Sequence, residues 1–312
     1  MLQVFVNPNY DFIGKRRWAY LVSLAFIALG LGSMAVKGGL HYGIDFSGGT
    51  LIQVRFEKPV AVDAIRLALE RIRFGESVIQ EFGDPREFLI RIASAGEQVA
   101  RSVQEALAQE SALGRAEIRR VEFVGPQVGK DLQLQALYAV GLGVAGILIY
   151  IAFRFDVRGG IAAILAIFHD VLVSLGALSL TNREMSLSVL AALLTIVGYS
   201  VNDTIVAYDR LRENRGKALK RGVPLAELMN EAINQTLSRT VLTALTVFMA
   251  TTVLFFFGGK VLEDFAFALT IGVITGTYST IYIAGSVIVD WDLWARGRAR
   301  AKKVMAKARG SS

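Results

Sequence analysis

One acidic side chain stands inside a long apolar segment of this 312-residue chain. Asp203 lies within residues 185–208, a run with the length and composition of a membrane-spanning helix. A charged side chain at the centre of a bilayer costs ~2.5–3.5 kcal/mol, so Asp203 should face the bundle interior, a partner or water. Such an acid can carry a proton in a relay or form a structural salt bridge, and the residue alone leaves both interpretations open.

The following apolar segment offers a candidate partner for this acid. Arg239, Thr243 and Thr246 recur at i, i+4 and i+7, which places them on one helical face with a cation at its end. Small and hydroxyl side chains are typical of helix–helix contacts in membranes. We therefore predict that this face lies against the polar side of the segment that carries the acid, which consists of Tyr199, Asn202 and Asp203.

A second acid lies near the middle of another apolar segment, residues 159–182, where Asp170 directly follows His169. By depth alone, Asp170 is the most costly acid of the chain to place in a bilayer. A local His–Asp pair, a second relay station and a contact with a partner protein all remain open. Of these, structural pairing is the interpretation that we favour.

The elements that must position these residues are six segments long enough to cross a bilayer, which takes about 20 mostly apolar residues. The hydrophobic content of 53% and the mean hydropathy of +0.46 agree with a polytopic α-helical membrane protein. The first segment has no good cleavage site of the kind that ends a signal peptide, so we expect it to be retained. The predicted spans are residues 18–36, 132–153, 159–182, 185–208, 240–259 and 265–289.

Lys and Arg residues are concentrated in alternate loops, which predicts the orientation of the spans. The short loops on one side hold only Arg183 and Lys260. Because short loops follow the positive-inside rule, we expect a multi-pass protein of the cell inner membrane with both termini cytoplasmic. Attraction to anionic lipid also accounts for the basic tail without any nucleic acid. The predicted cytoplasmic regions are residues 1–17, 154–158, 209–239 and 290–312.

Residues 37–131 form a long connection whose pattern predicts a small periplasmic α+β domain. Two helical and four strand patterns follow the order β-α-β-β-α-β, the ferredoxin-like split βαβ arrangement. The segment has no nucleophile–base pair and no metal cluster, and the chain has no cysteine, so we expect no catalytic and no metal site. Connectors of the kind that a hinged domain needs flank this segment on both sides. They contain Gly43, Asp45, Gly48 and Gly49 before it and Gly125, Pro126 and Gly129 after it.

Two further patterns concern helix placement and the energy source. An apolar stripe after Pro224 predicts a short amphipathic helix that lies along the cytoplasmic interface. No Walker A sequence is present, so we expect no nucleotide and no other cofactor, with protons as the coupling ion. The stripe consists of Leu225, Leu228, Met229, Ala232 and Ile233.

Motifs along nearly the whole chain, taken in order, resemble those of the SecF family in the SecD/SecF branch of the RND superfamily. The stretch VGYSVNDTIVAYDRLREN, in the fourth span, is the most specific of them. GIDFSGGT, at the start of the external domain, is weaker because SecD has a similar stretch. The others are YDFIGKRRWAY before the first span, VGPQVGKDL before the second, FHD in the third and QTLSRTVLTALT entering the fifth.

The resemblance implies a six-helix, RND-type half of a twelve-helix unit that SecD completes. It further implies the SecYEG channel, and YajC and YidC, as partners, a preprotein as substrate, and a transport subunit that is not an enzyme. The family uses the proton gradient to draw preproteins outward after an ATP-driven step. Its intramembrane acid corresponds to Asp203 and its arginine to Arg239, and SecD would supply another acid.

Two other functions remain as alternatives. One is a proton-driven small-molecule exporter of the same superfamily, for which residues 37–131 are a small external domain. The other is a purely structural subunit in which Asp203 is only paired.

Overall fold

The structure is a computed structural model that describes Phe5 and residues 8–110, 113–154, 156–218 and 222–309. Lys220 and Arg221 of the predicted cytoplasmic loop lie outside the described residues, as do residues 310–312 of the predicted tail. Two compact units make up the chain. The first consists of Met1–Gly39, Leu142–Arg183 and Ala191–Ser312, and the second of Leu40–Gly141 and Glu184–Leu190.

Long helices flank a block of strands along the described chain. In order, the elements before the second span are α1 (Arg16–Val36), β1 (His41–Tyr42), α2 (Ile44–Ser47), β2 (Gly49–Phe56), α3 (Val62–Glu70), β3 (Val78–Phe82), β4 (Asp84–Ile92), α4 (Glu97–Gln109) and β5 (Ala116–Val124). They are followed by α5 (Pro126–Arg154), α6 (Val157–Leu180), β6 (Glu184–Met185), α7 (Leu187–Ala218), α8 (Leu225–Phe257), α9 (Lys260–Ser279), a π-helical segment (Thr280–Ala284) and α10 (Gly285–Arg309).

Six stretches of the described chain are helical, long and apolar enough to cross a membrane, which confirms the six-span prediction. The second span begins earlier than predicted, because α5 starts at Pro126 and residues 126–131 are helical, not a connector. Proline suits the first helical position, where its missing N–H would have no partner in any case. The backbone N–H of Gly129 already donates to the Gly125 carbonyl at 2.9 Å, as expected of a first turn.

The chain between the fourth and fifth spans is also more helical than predicted. Helix α7 continues to Ala218, and α8 is one continuous helix, so the prediction of a separate interfacial helix is wrong. The predicted stripe does not face lipid: Met229 and Ala232 are fully buried, in a core that includes Phe12 and Ile288. An apolar stripe gives the same sequence signal whether protein or lipid covers it.

The N-terminal segment lies along the start of α8 and helps to bury this stripe. Asn230 Oδ1 accepts the backbone N–H groups of Phe12 at 2.9 Å and Ile13 at 3.2 Å. Asn234 accepts the N–H of Tyr10 at 2.9 Å and donates to its carbonyl at 2.9 Å. Two side-chain amides thereby satisfy backbone groups that have no strand partner.

The sixth span is interrupted by a change of helical type. The π-helical segment Thr280–Ala284 separates α9 from α10, and α10 carries the predicted basic tail onward as helix to Arg309. Short π-helical segments are rare and are frequently found at functional sites. This one packs against α7, since Tyr208 donates its hydroxyl to the Ala284 carbonyl at 3.1 Å.

Helices α1 and α6 make a close contact that only glycine permits. A Cβ on Gly30 would lie 2.6 Å from the Cα of Gly176, and a Cβ on Gly176 would lie 2.8 Å from the Cα of Gly30. Near that contact, the Ser33 and Ser179 hydroxyls are hydrogen-bonded at 2.9 Å. Small residues at such crossings are typical of helix packing in membranes.

The second unit contains the predicted α+β domain. Its described strands form a sheet in the order β3-β4-β2-β5, and each neighbouring pair is antiparallel. This order, with α3 and α4 as the two crossovers, is the ferredoxin-like arrangement, so that prediction is confirmed. The alternating inward residues of β2, Ile52, Val54 and Phe56, pack with Phe88 in a closed hydrophobic core.

The glycine motif at the entrance to this domain, which was predicted as a connector, contains a helical turn. Residues 44–47 form a helical turn, and β2 begins only at Gly49. Gly49 has φ of 118°, and a Cβ there would lie 2.4 Å from the Ile92 carbonyl oxygen, so the position requires glycine. Gly48 has φ of 70°. Gly129 packs against it, because a Cβ on Gly129 would lie 3.2 Å from the backbone nitrogen of Gly48. Close packing, rather than free rotation, thus accounts for these glycines.

Asp45 of the same motif makes a specific contact within the second unit. Its Oδ2 accepts the backbone N–H of Leu187 at 3.0 Å, at the first residue of α7. The first N–H groups of a helix have no partner within the helix, so a carboxylate in this position stabilises the helix start. Asp45 therefore anchors the beginning of the fourth span to the glycine motif, and Gly43, which donates to the Met185 carbonyl at 2.9 Å, adds a second link.

Candidate functional site

Asp203 is buried within α7 and lacks a full set of hydrogen bonds. Its exposed fraction is 3%. Its Oδ2 atom has no hydrogen-bond partner among the described residues. A buried carboxylate oxygen without a partner costs free energy, on the order of 1–3 kcal/mol or more for a charged group. The fourth span therefore holds an acid whose environment in the isolated chain is incomplete.

Arg239, the candidate partner of this acid, makes no salt bridge with it in the described chain. The two side chains are not within 4.0 Å of each other in the described chain, and Arg239 is exposed on α8. The buried acid and the exposed candidate cation are therefore not in direct contact.

The other predicted members of this group divide between the surface and the interior. The Tyr199 hydroxyl is buried near the hydroxyls of Thr243 and Thr277, yet it has hydrogen-bond geometry to no described group. Asn202 and Thr246 are exposed. The hydroxyls of Thr243 and Thr246 donate to carbonyls of their own helix at 2.9 Å and 2.8 Å. The hydroxyls of Tyr199, Thr243 and Thr246 therefore make no hydrogen bond to Asp203.

Asp170 has the opposite environment, because it is fully buried and fully bonded. Its Oδ2 accepts the hydroxyls of Ser200 on α7 at 2.6 Å and of Ser279 on α9 at 2.7 Å. Its Oδ1 lies 2.9 Å from Nδ1 of His169. Hydrogen bonds to an ionised acceptor are stronger than neutral ones. Asp170 therefore joins the third, fourth and sixth spans at one point inside the bundle.

His169 completes this junction toward α1. Its ring stacks on the ring of Tyr278, with centroids 5.8 Å apart and planes inclined by 26°. The Tyr278 hydroxyl in turn donates to the Ala19 carbonyl at 2.8 Å. The predicted His–Asp pair is thus present, and it lies within a network that runs from α1 to α7.

Ser200 and Ser279 are site residues that sequence reasoning missed. Each lies among other hydroxyl-bearing residues, Ser200 next to Tyr199 and Ser279 between Tyr278 and Thr280, so the sequence does not single either of them out. The one available hint was position, because Ser200 lies three residues before Asp203 and therefore about one helical turn away. One residue beyond Asp203, the Thr204 hydroxyl is 3.2 Å from that of Thr280, at the start of the π-helical segment.

The remaining chemistry of the described residues is limited. They contain no group of three or more His, Cys, Asp or Glu side chains that could hold a metal ion. The arrangement offers buried carboxylates, hydroxyls and one imidazole inside a helical bundle, and these are groups that can bind and transfer protons.

Known proteins match this chain over most of its length. A family model described as "Protein export membrane protein SecD/SecF, C-terminal" matches residues 103–294, and one described as "SecD/SecF GG Motif" matches residues 32–60. The chain is 45% identical to protein translocase subunit SecF of Magnetococcus marinus, over 96% of this chain and 98% of that protein. It is 43% identical to the SecF of Calditerrivibrio nitroreducens, over 90% of this chain and 94% of that one. This chain belongs to the SecF family.

A solved structure of a related protein has the same fold. The crystal structure of SecDF from Thermus thermophilus matches with a TM-score of 0.83 at 43% identity, over 92% of this chain. This SecF-family chain spans 39% of the length of that SecDF chain. The polytopic RND-type fold and the family therefore rest on sequence, structure and the glycine motif together.

Proposed function

We propose that this chain is a subunit of the bacterial protein-export machinery that works with SecD to couple proton flow to the outward movement of preproteins. One observation carries the proposal: Asp203 is a buried acid with an unbonded carboxylate oxygen, in a membrane span of a SecF-family chain. An acid in this state gains stability either from a proton or from a cation. A site that alternates between the two can convert proton binding into movement.

The energy available from such a site is adequate for stepwise work. One elementary charge that crosses a potential of 100 mV yields about 2.3 kcal/mol. Proton flow could thus act after ATP-driven steps without a nucleotide site on this chain. In this proposal, protons are the coupling ion and no other cofactor takes part.

SecD is the proposed principal partner, because it would cover the incomplete polar side of α7 and α8. In Thermus thermophilus, SecDF is a single chain, of which the present chain matches 39%. The exposed side chains of Asn202, Arg239 and Thr246 supply the polar contacts that such a partner could complete. The SecYEG channel and a preprotein are proposed as further contacts, together with YajC and YidC.

The proposed orientation follows from the distribution of charge. Both termini lie on the cytoplasmic side of the inner membrane, and the ferredoxin-like domain lies on the periplasmic side. In α10 the chain carries many Lys and Arg residues after Trp294, a composition that favours contact with the anionic cytoplasmic leaflet.

The decisive experiment is export into membrane vesicles that contain SecYEG, SecD and this chain, with and without an imposed proton gradient. We expect Asp203→Asn to reduce the gradient-dependent part of export to background while SecD still co-purifies. Asp209→Asn is the matched control, since it makes the same chemical change on the same helix at an acid that is already paired with Arg154. If both variants retain gradient-stimulated export, the coupling role is wrong and a purely structural subunit is the better description.

A further inference from the structure

We propose that a groove between α1, α6 and α9 binds one acyl chain of a phospholipid from the outer leaflet, with its phosphate near Lys37. The groove has a volume of about 460 Å³. Helix α6 forms its floor with His169, Val173, Ala177 and Leu180, while α1 and α9 form its walls. None of these three helices carries Asp203 or Arg239, so the groove is separate from the proposed proton site.

The hydroxyl groups that line the groove are already hydrogen-bonded within the protein. The Tyr278 hydroxyl donates to the Ala19 carbonyl, and the Ser23 hydroxyl lies 3.4 Å from that of Tyr278. The Thr181 hydroxyl donates to the Ala177 carbonyl at 2.7 Å, and the Thr275 hydroxyl donates to the Gly272 carbonyl at 3.2 Å. The surface offered to an occupant is therefore hydrocarbon, which suits an acyl chain better than a polar ligand.

The dimensions of the groove match one leaflet. From His169 to Thr181 the floor rises by about 18 Å at the α-helical rise per residue. Half of a typical hydrocarbon core is about 15 Å thick. The groove thus extends from the middle of the bilayer to its outer boundary, as a single acyl chain does.

A cation at the outer end of the groove is available for the lipid phosphate. Lys37 Nζ donates to the Ser179 carbonyl at 2.5 Å and to Asn182 Oδ1 at 2.6 Å, on either side of Leu180 and Thr181. The side chain is exposed, and its recorded partners are neutral oxygens rather than carboxylates. Its charge is thus free to attract an anionic headgroup.

Native mass spectrometry of the full chain, extracted in detergent and supplied with phosphatidylglycerol, tests the proposal. We expect one molecule to remain bound to the wild-type chain, and Ala177→Trp to reduce the bound fraction at least tenfold by filling the groove. Ala152→Trp is the matched control, because Ala152 is an exposed alanine on α5 outside the groove, and it should bind as the wild type does. Equal binding by all three proteins would overturn the proposal.

The charge at Lys37 has its own readout. Lys37→Gln should weaken retention of phosphatidylglycerol about fivefold, the effect of one lysine near an anionic surface. Retention of phosphatidylcholine should fall less, because its choline cation cancels the net charge of the phosphate. An equal loss for both lipids would show that Lys37 only holds the end of α6, and the headgroup assignment would be wrong.

A measurement on the unaltered chain covers the case in which a variant fails to fold. Phosphatidylglycerol with a photoreactive diazirine on its acyl chain is reconstituted with the wild-type protein and illuminated. We expect crosslinks to concentrate in the peptides that contain residues 169–181 and 267–278. Crosslinks spread evenly over the exposed faces of α5 and α8 would contradict a defined groove.

Discussion

Asp170 and Asp203 are both buried acids in membrane spans, and they differ in what surrounds them. Asp170 accepts hydrogen bonds from two serines on two other helices and is hydrogen-bonded to the neighbouring imidazole. Asp203 has an oxygen without any partner in the described chain, and its candidate cation is exposed and not in contact. Because a buried charge is tolerated only when it is satisfied or can be neutralised, the two acids have different roles. Asp170 holds the bundle together, whereas Asp203 is available to a proton or a partner.

The largest effect on stability should follow from removing the satisfied acid. Asp170→Ala leaves Ser200, Ser279 and His169 without their partner, and each buried polar group left unsatisfied costs about 1–3 kcal/mol. We expect a clearly lowered melting temperature of the detergent-solubilised chain, measured by loss of helical circular dichroism. A melting temperature equal to that of the wild type would remove Asp170 from its structural role.

A smaller loss of stability is expected when the serine donors to Asp170 are removed one at a time. A hydrogen bond to a charged group contributes about 1.5–3 kcal/mol, so Ser200→Ala and Ser279→Ala should each destabilise the chain by an amount in that range. Because the two serines share one acceptor oxygen, the double variant should deviate from the sum of the single losses. Strict additivity in the same melting assay would indicate that the serines act independently of Asp170.

The unsatisfied acid should respond in the opposite direction. Asp203→Asn removes a buried charge with an unbonded oxygen, so we expect no loss of stability and a gain on the order of 1 kcal/mol. The measurement is again thermal melting of the chain without SecD. A loss as large as that of Asp170→Ala would mean that Asp203 is bonded in the folded chain, and the contrast between the two acids would disappear.

Much of the fold could be predicted because its signals are local. The six spans follow from apolar runs of the required length, and the β-α-β-β-α-β order follows from alternation and helical spacing within residues 37–131. The helix limits were less accessible. Polar residues beyond the bilayer can continue a helix, as α7 does to Ala218, and proline can begin one, as Pro126 does in α5.

The candidate site was predictable in part, for a similar reason. A charge in an apolar run identifies Asp203 and Asp170 without any structure. Which of the two acids has hydrogen-bond donors depends on Ser200 and Ser279. Ser200 is 30 positions from Asp170 in the sequence, and Ser279 is 109 positions from it. Depth alone ranked Asp170 as the more costly acid. Hydrogen bonds add a second criterion, because Asp170 accepts from serines on two other helices, whereas Asp203 Oδ2 has no partner among the described residues.

The smallest effect is expected at an acid that is well paired but lies outside the membrane. Asp84, the first residue of β4, accepts hydrogen bonds from the side chain and backbone of Arg86, which lower the pKa of the Asp84 carboxyl to about 2. A lowered pKa contributes stability that is present above the unfolded value of 3.8 and is lost as the pH falls through about 2. Exposed ion pairs contribute little, so Asp84→Asn should not measurably change the melting temperature of the full chain at pH 7.

The pH dependence distinguishes this pair from a chance surface contact. Between pH 4 and pH 2 the wild type should lose the small contribution of Asp84, and Asp84→Asn should lose correspondingly less. Asp63→Asn, at an exposed acid on α3, serves as the control and should follow the wild type. If Asp84→Asn lowered the melting temperature at pH 7 as much as a serine variant of the Asp170 junction does, pairing alone would govern stability. The expected result is that burial of the paired group decides how much its partners contribute.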